Sequence, residues 1–145
     1  MSTLKAENIQ SITTGPPIFK TSAGTEIGQL TRAWVNFTGT GTVASNDSFN
    51  VSSFTDHGTG DYEIHFENAM PSANYVITGM VANTSDEFSS SVAGATRGNS
   101  GIHIIGTVAP TASNFRIQTR FGSTSGSNGN SDDFSRVYVA IFGAS

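Results

Sequence analysis

Beyond Thr31, apolar and polar side chains alternate along the chain with a period of two. Over Asp61–Phe66, Tyr62, Ile64 and Phe66 point one way, while Asp61, Glu63 and His65, continued by Glu67, point the other. That is the pattern of a strand with one dry face and one wet face. Asn114–Phe121 repeats it, with Phe115, Ile117 and Phe121 set against Arg116, Gln118 and Arg120. The last run differs: Val137, Val139 and Ile141 share one face, and Arg136, Tyr138 and Phe142 the other, so it is apolar on both sides. A strand of that kind is either central in a thick core or covered by another subunit.

Between Ser48–Thr55 and Asp61–Phe66 lies Asp56-His57-Gly58-Thr59-Gly60, in which Gly58 and Gly60 can supply the positive φ of a hairpin turn. The spacing predicts strands at Arg32–Thr38, Ser48–Thr55, Asp61–Phe66, Tyr75–Asn83, Ser90–Thr96, Ile102–Val108, Asn114–Phe121 and Phe134–Phe142. Gly-, Pro-, Asn- and Ser-rich separators stand between them, and no stretch has helical periodicity. About eight short strands so spaced predict an all-β fold, an antiparallel β-sandwich or jelly-roll-like head. Trp34, Phe37, Phe49, Phe54, Tyr62, Phe66, Tyr75, Phe115 and Phe121 are expected in its core.

Residues 1–28 break this pattern. Their apolar side chains, Leu4, Ile9, Ile12, Ile18, Phe19 and Ile27, are sparse, and Pro16-Pro17 excludes a helix across that point. The segment reads as an extended N-terminal arm. It is either a disordered terminus or an arm ordered only against sister chains or a larger assembly, attaching through Leu4, Ile9, Ile12, Ile18 and Phe19. Residues 29–145 then form the β-head.

Composition narrows the function classes. Charged residues are 12% of the chain, against roughly 25% in ordinary globular proteins, so solubility rests on Ser, Thr, Asn and Gly-rich surfaces. A net charge of −4, with seven scattered Lys and Arg, argues against nucleic acid as a partner. No basic leader with an apolar stretch is seen, and no window approaches ~18 consecutive apolar residues, so neither secretion signal nor membrane insertion is expected. The absence of cysteine removes disulfides and thiolate metal sites.

Candidate chemistry is sparse. Glu63, His65 and Glu67 share one face of one strand, with Asp61 further back, and form the one metal-like ladder. Same-face residues of a single strand rarely converge on one ion without a ligand from a neighbour, so no metal or other cofactor is assigned. His57 in a turn and His103 in a strand read as structural. No nucleophile elbow, phosphate loop or zinc-protease motif occurs, and Asp86-Glu87 and Asp132-Asp133 are loop pairs of the kind that usually face solvent. No enzymatic activity is expected. Two polar loops could carry binding: Asn83–Glu87, with Asn83, Asp86 and Glu87, and Gly122–Asp133, with Asn128, Asn130 and Asp132. The second is equally a flexible excursion.

The ordered runs Ala33-Trp34-Val35-Asn36-Phe37, Gly39-Thr40-Gly41-Thr42-Val43, Ser48-Phe49-Asn50-Val51-Ser52-Ser53, Gly58-Thr59-Gly60-Asp61-Tyr62 and Ala69-Met70-Pro71, closing on Ala73-Asn74-Tyr75, resemble tail-fibre-like virion proteins of bacteriophages. The likeness is greatest to those of phages of cyanobacteria and marine bacteria. Leu4-Lys5 and Asn8-Ile9-Gln10 are similar to the leader of the same proteins. After Tyr75 the agreement is only in being β-rich. The resemblance implies a homotrimeric structural protein of the virion. Its N-terminal arm would bind other virion proteins, and its head would contact the host surface, most simply a polysaccharide held by avidity. This chain is shorter than the pattern and lacks a repeated shaft. A capsid or neck decoration protein is therefore the alternative, and a polysaccharide-degrading enzyme a minor one.

Overall fold

The computed structural model describes residues 19–28, 30–82, 98–122 and 130–143. Its strands are β1 (Phe19–Lys20), β2 (Glu26–Gly28), β3 (Ala33–Thr38), β4 (Ala44–Phe49), β5 (Val51–Gly58), β6 (Asp61–Phe66), β7 (Tyr75–Ala82), β8 (Gly98–Ile104), β9 (Asn114–Gly122), β10 (Asn130–Ser131) and β11 (Arg136–Gly143). Every pairing is antiparallel, and no helix occurs among the described residues. The fold is all-β, as the alternation predicts.

Two sheets build the head. One runs β4-β3-β11-β7; the other contains β5-β6-β9, with β8 on the far side of β9. The short β10 continues the β6 side of β9, because Thr119 bonds both Gly60 and Asp132 through its N–H and C=O. Between the sheets lie Ala33, Val35 and Phe37 of β3 and Val137, Val139 and Ile141 of β11. They meet Tyr62, Ile64 and Phe66 of β6 and Phe115 and Ile117 of β9, all buried. Each such large side chain stabilises the fold by roughly 1.5–3 kcal/mol on burial. Rings cross the gap: Phe37 lies 4.9 Å from Phe54 and edge-on to Tyr62 at 5.2 Å.

Several expectations are corrected. Ser48–Thr55 is not one strand, because Asn50 takes φ 56° and turns the chain from β4 in one sheet to β5 in the other. Its side chain secures that corner, donating to Arg32 O and Asn68 O and accepting the Asn68 N–H at 2.7 Å. The run expected at Ile102–Val108 starts earlier and stops at Ile104, where a Val108 N–H to Ile105 C=O turn takes over. Trp34 and Phe49, expected in the core, are 37% and 54% exposed. They are cross-strand partners on the outer side of their sheet. Ser90–Thr96 lies outside the described residues.

The hairpin between β5 and β6 closes as expected, on Gly58 at φ 120° and Gly60 at φ 64°. Within the segment read as an extended arm, β1 and β2 pair as a short hairpin separate from both sheets, turning at Gly24. Phe19 is exposed on it.

Candidate functional site

Of the residues expected to bind a receptor, Asn83, Asp86, Glu87 and Asn128 lie outside the described residues, as do the attachment candidates Leu4, Ile9, Ile12 and Ile18. Asn130 is exposed on β10. Asp132 is fastened by its backbone: its N–H donates to Thr119 O at 3.1 Å and its C=O accepts the Thr119 hydroxyl at 2.6 Å. Its neighbour Asp133, expected to face solvent, instead accepts from the Tyr62 hydroxyl and the Gly60 N–H, each at 2.6 Å. Burial, reinforced by that carboxylate, pushes the Tyr62 phenol well above its ordinary value.

The Glu63, His65 and Glu67 ladder is partly assembled. The Glu63 carboxylate sits between two imidazoles, with His57 Nε2 3.0 Å from Oε2 and His65 Nε2 3.7 Å from Oε1. Thr55 Oγ1 is 3.0 Å from the same His65 nitrogen. The rings therefore address opposite oxygens of one carboxylate and not a common point. Glu67 lies past the end of β6, exposed. Among the described residues no group of three or more His, Cys, Asp or Glu side chains is arranged to hold a metal.

Asp61 turns instead to Arg116, which grips it through two bonds, Nε to Oδ1 at 2.7 Å and Nη2 to Oδ2 at 2.8 Å. That fork holds the Asp61 carboxyl below its ordinary value against a smaller opposing effect of burial. Arg120 likewise donates twice to Gln118 Oε1. The outer side of β5-β6-β9 is thus a polar surface on which Asp61, Glu63, Arg116 and Arg120 each already hold a hydrogen-bonding partner.

The outer side of β4-β3-β11-β7 is its opposite. Register places Phe49, Trp34, Ala140 and Thr78 in one row across the four strands. Tyr138 and Met80 stand beside each other in the next row, as do Phe142 and Val76 on the other flank. Val76 and Met80 are 63% and 64% exposed, and Phe142 37%. Small side chains at the centre leave a groove of about 410 Å³ over Thr78 and Ala140, walled by Trp34, Asn36 and Tyr138.

The sequence already showed β11 to be apolar on both faces. β7 carries the same signal: Tyr75, Ile77 and Val81 face the core, while Val76 and Met80 face out. No protein-family model matches this chain, and neither a curated protein nor a solved structure does.

Proposed function

We propose that this chain is a structural subunit of a bacteriophage virion. In this reading it is a homotrimeric fibre protein, anchored through its N-terminal arm and presenting its β-head to the host surface, whose polysaccharide it binds. The observation that carries the reading is the contrast between the two outer faces. One is polar with its arginines and carboxylates already bonded within the face, and the other is apolar and without a covering layer among the described residues. A monomer rarely leaves so continuous an apolar surface in water, whereas a subunit of an assembly needs one. The ordered runs from Ala33 to Tyr75 direct the assembly toward a phage fibre, and the Ser-, Thr- and Asn-rich surface suits weak, repeated contacts with sugar hydroxyls.

The reading is tested by averaging cryo-electron micrographs of phage particles that contain the protein and fitting the head to each appendage. Density at the tail tip or baseplate, together with binding on a glycan array, is the expected result. Density on the neck or capsid with no glycan binding at any surface density makes it a decoration protein. Absence from purified particles overturns the virion assignment.

A further inference from the structure

We propose that the outer face of β4-β3-β11-β7 is the surface on which a second copy of this chain packs. The Val76–Met80 ridge of one copy seats in the groove between Trp34 and Tyr138 of the next. This deepens the reading of the chain as a subunit and rests on it only in taking the chain to be part of an assembly.

Three observations select a second copy over other occupants. The first is area. Four strands at ~4.8 Å spacing and ~3.4 Å per residue make a face of roughly 500 Å². Two such faces together reach about the 1,000 Å² that a specific protein contact needs. The second is shape. The ridge on the edge strand β7 stands proud, with Val76 and Met80 more exposed than any other large apolar side chain among the described residues. The floor beside it is lowered by Ala140 and Thr78. One surface therefore carries both the projection and the recess, as self-association requires.

The third is charge. Within these strands the face bears only two charged residues, Asp47 on the edge strand β4 and Arg136 at the start of β11. They are opposite in sign and lie at its margins. Setting the β7 side of one copy over the β3–β4 side of the next brings the margins of unlike charge toward each other. A lipid surface would want basic residues around the groove, and Arg136 is the only one within these four strands.

The whole chain is tested by native mass spectrometry and light scattering across a micromolar concentration series. Wild type is expected to be oligomeric, and Met80→Glu to weaken association about 30-fold or more with unchanged circular dichroism, as Met80 is largely exposed. Ser53→Glu, at an exposed position on the polar face opposite His65, is expected to leave association unchanged. Because the chain has no cysteine, Met80→Cys protein mixed with Ala140→Cys protein gives a clean readout. A disulfide between the two variants is expected.

A monomeric wild type overturns the proposal, including one whose groove resonances respond only to added oligosaccharide. So does an oligomer indifferent to Met80→Glu, or one that never forms the mixed disulfide. A species of three copies that forms the mixed disulfide supports both this contact and the fibre reading. A species of two copies that forms the mixed disulfide supports the contact and counts against the trimeric fibre.

Discussion

The Tyr62 hydroxyl donates to Asp133 Oδ1 at 2.6 Å, and that one oxygen also takes the Gly60 N–H at 2.6 Å. A strand residue, a hairpin turn and the approach to the last strand are thereby tied at one partly buried point. Gly39 presses on the same ring, so closely that a Cβ there would collide with the Tyr62 hydroxyl.

Tyr62→Phe is expected to cost about 1–2 kcal/mol, because Asp133 keeps its Gly60 partner. Asp133→Ala is expected to cost more, about 2–4 kcal/mol, since it strands the Gly60 amide and leaves the phenol only the longer 3.3 Å bond to Gly39 O. Urea unfolding of the two variants checks the order. The pH dependence follows from the raised phenols, with burial also pushing Tyr75 up to about 12. The unfolded chain releases these protons near pH 10 and the folded chain does not, so their contribution is whole below pH 10 and is lost as pH rises beyond it. Tyr62→Phe is expected to flatten that alkaline decline, and an unchanged slope contradicts the assignment.

Asn50 gives a second prediction. It combines a left-handed backbone, φ 56°, with three side-chain bonds that hold Arg32 and Asn68 at the corner between the sheets. Asn50→Gly keeps the conformation and loses the bonds, an expected cost of about 1–2 kcal/mol. Asn50→Ala loses both and is expected to cost about 1 kcal/mol more. Equal melting temperatures for the two variants would show that the backbone conformation carries no cost for alanine.

That corner also separates what is legible in the sequence from what is not. Alternation located β6, β9 and β11 because each has a run long enough to show its phase, and the Gly58 and Gly60 turn was legible from chemistry that few residues share. Phe49 and Val51 have the same parity, so an unbroken strand puts both in the core. Asn50 moves the chain to the other sheet between them, leaving Phe49 outside and Val51 packed against the core. Nothing in an Asn-, Ser- and Thr-rich stretch distinguishes the one Asn that turns left-handed. Trp34 was legible in principle, since Ala33, Val35 and Phe37 form the more apolar phase, but its size suggested burial. Asp133 departs from the expectation for a loop carboxylate because its partner, Tyr62, is distant in sequence and comes beside it only on folding.

The Asp61–Arg116 fork sets the acid behaviour. A carboxyl held below its ordinary value contributes stability that is fully present above the unfolded value of 3.8 and is lost as pH falls through the lower folded value. Asp61→Asn is expected to melt lower than wild type at neutral pH and to converge with it in strong acid. Parallel melting curves from neutrality down to pH 2 would mean that the pair contributes nothing.

Trp34 offers a direct optical test, because it is the sole tryptophan and stands on the apolar face, 37% exposed. If a second copy covers that face, its indole passes from partial contact with water into a dry interface. Emission is then expected to shift blue as concentration rises and to become less accessible to a neutral quencher such as acrylamide. The midpoint should coincide with the mass transition seen by light scattering. Met80→Glu should hold the emission at its dilute value over the same range, while Ser53→Glu on the polar face should follow wild type. An emission maximum that stays constant while the mass rises would place the contact on some other surface. A shift that survives Met80→Glu would show that the ridge on β7 does not enter the groove beside Trp34.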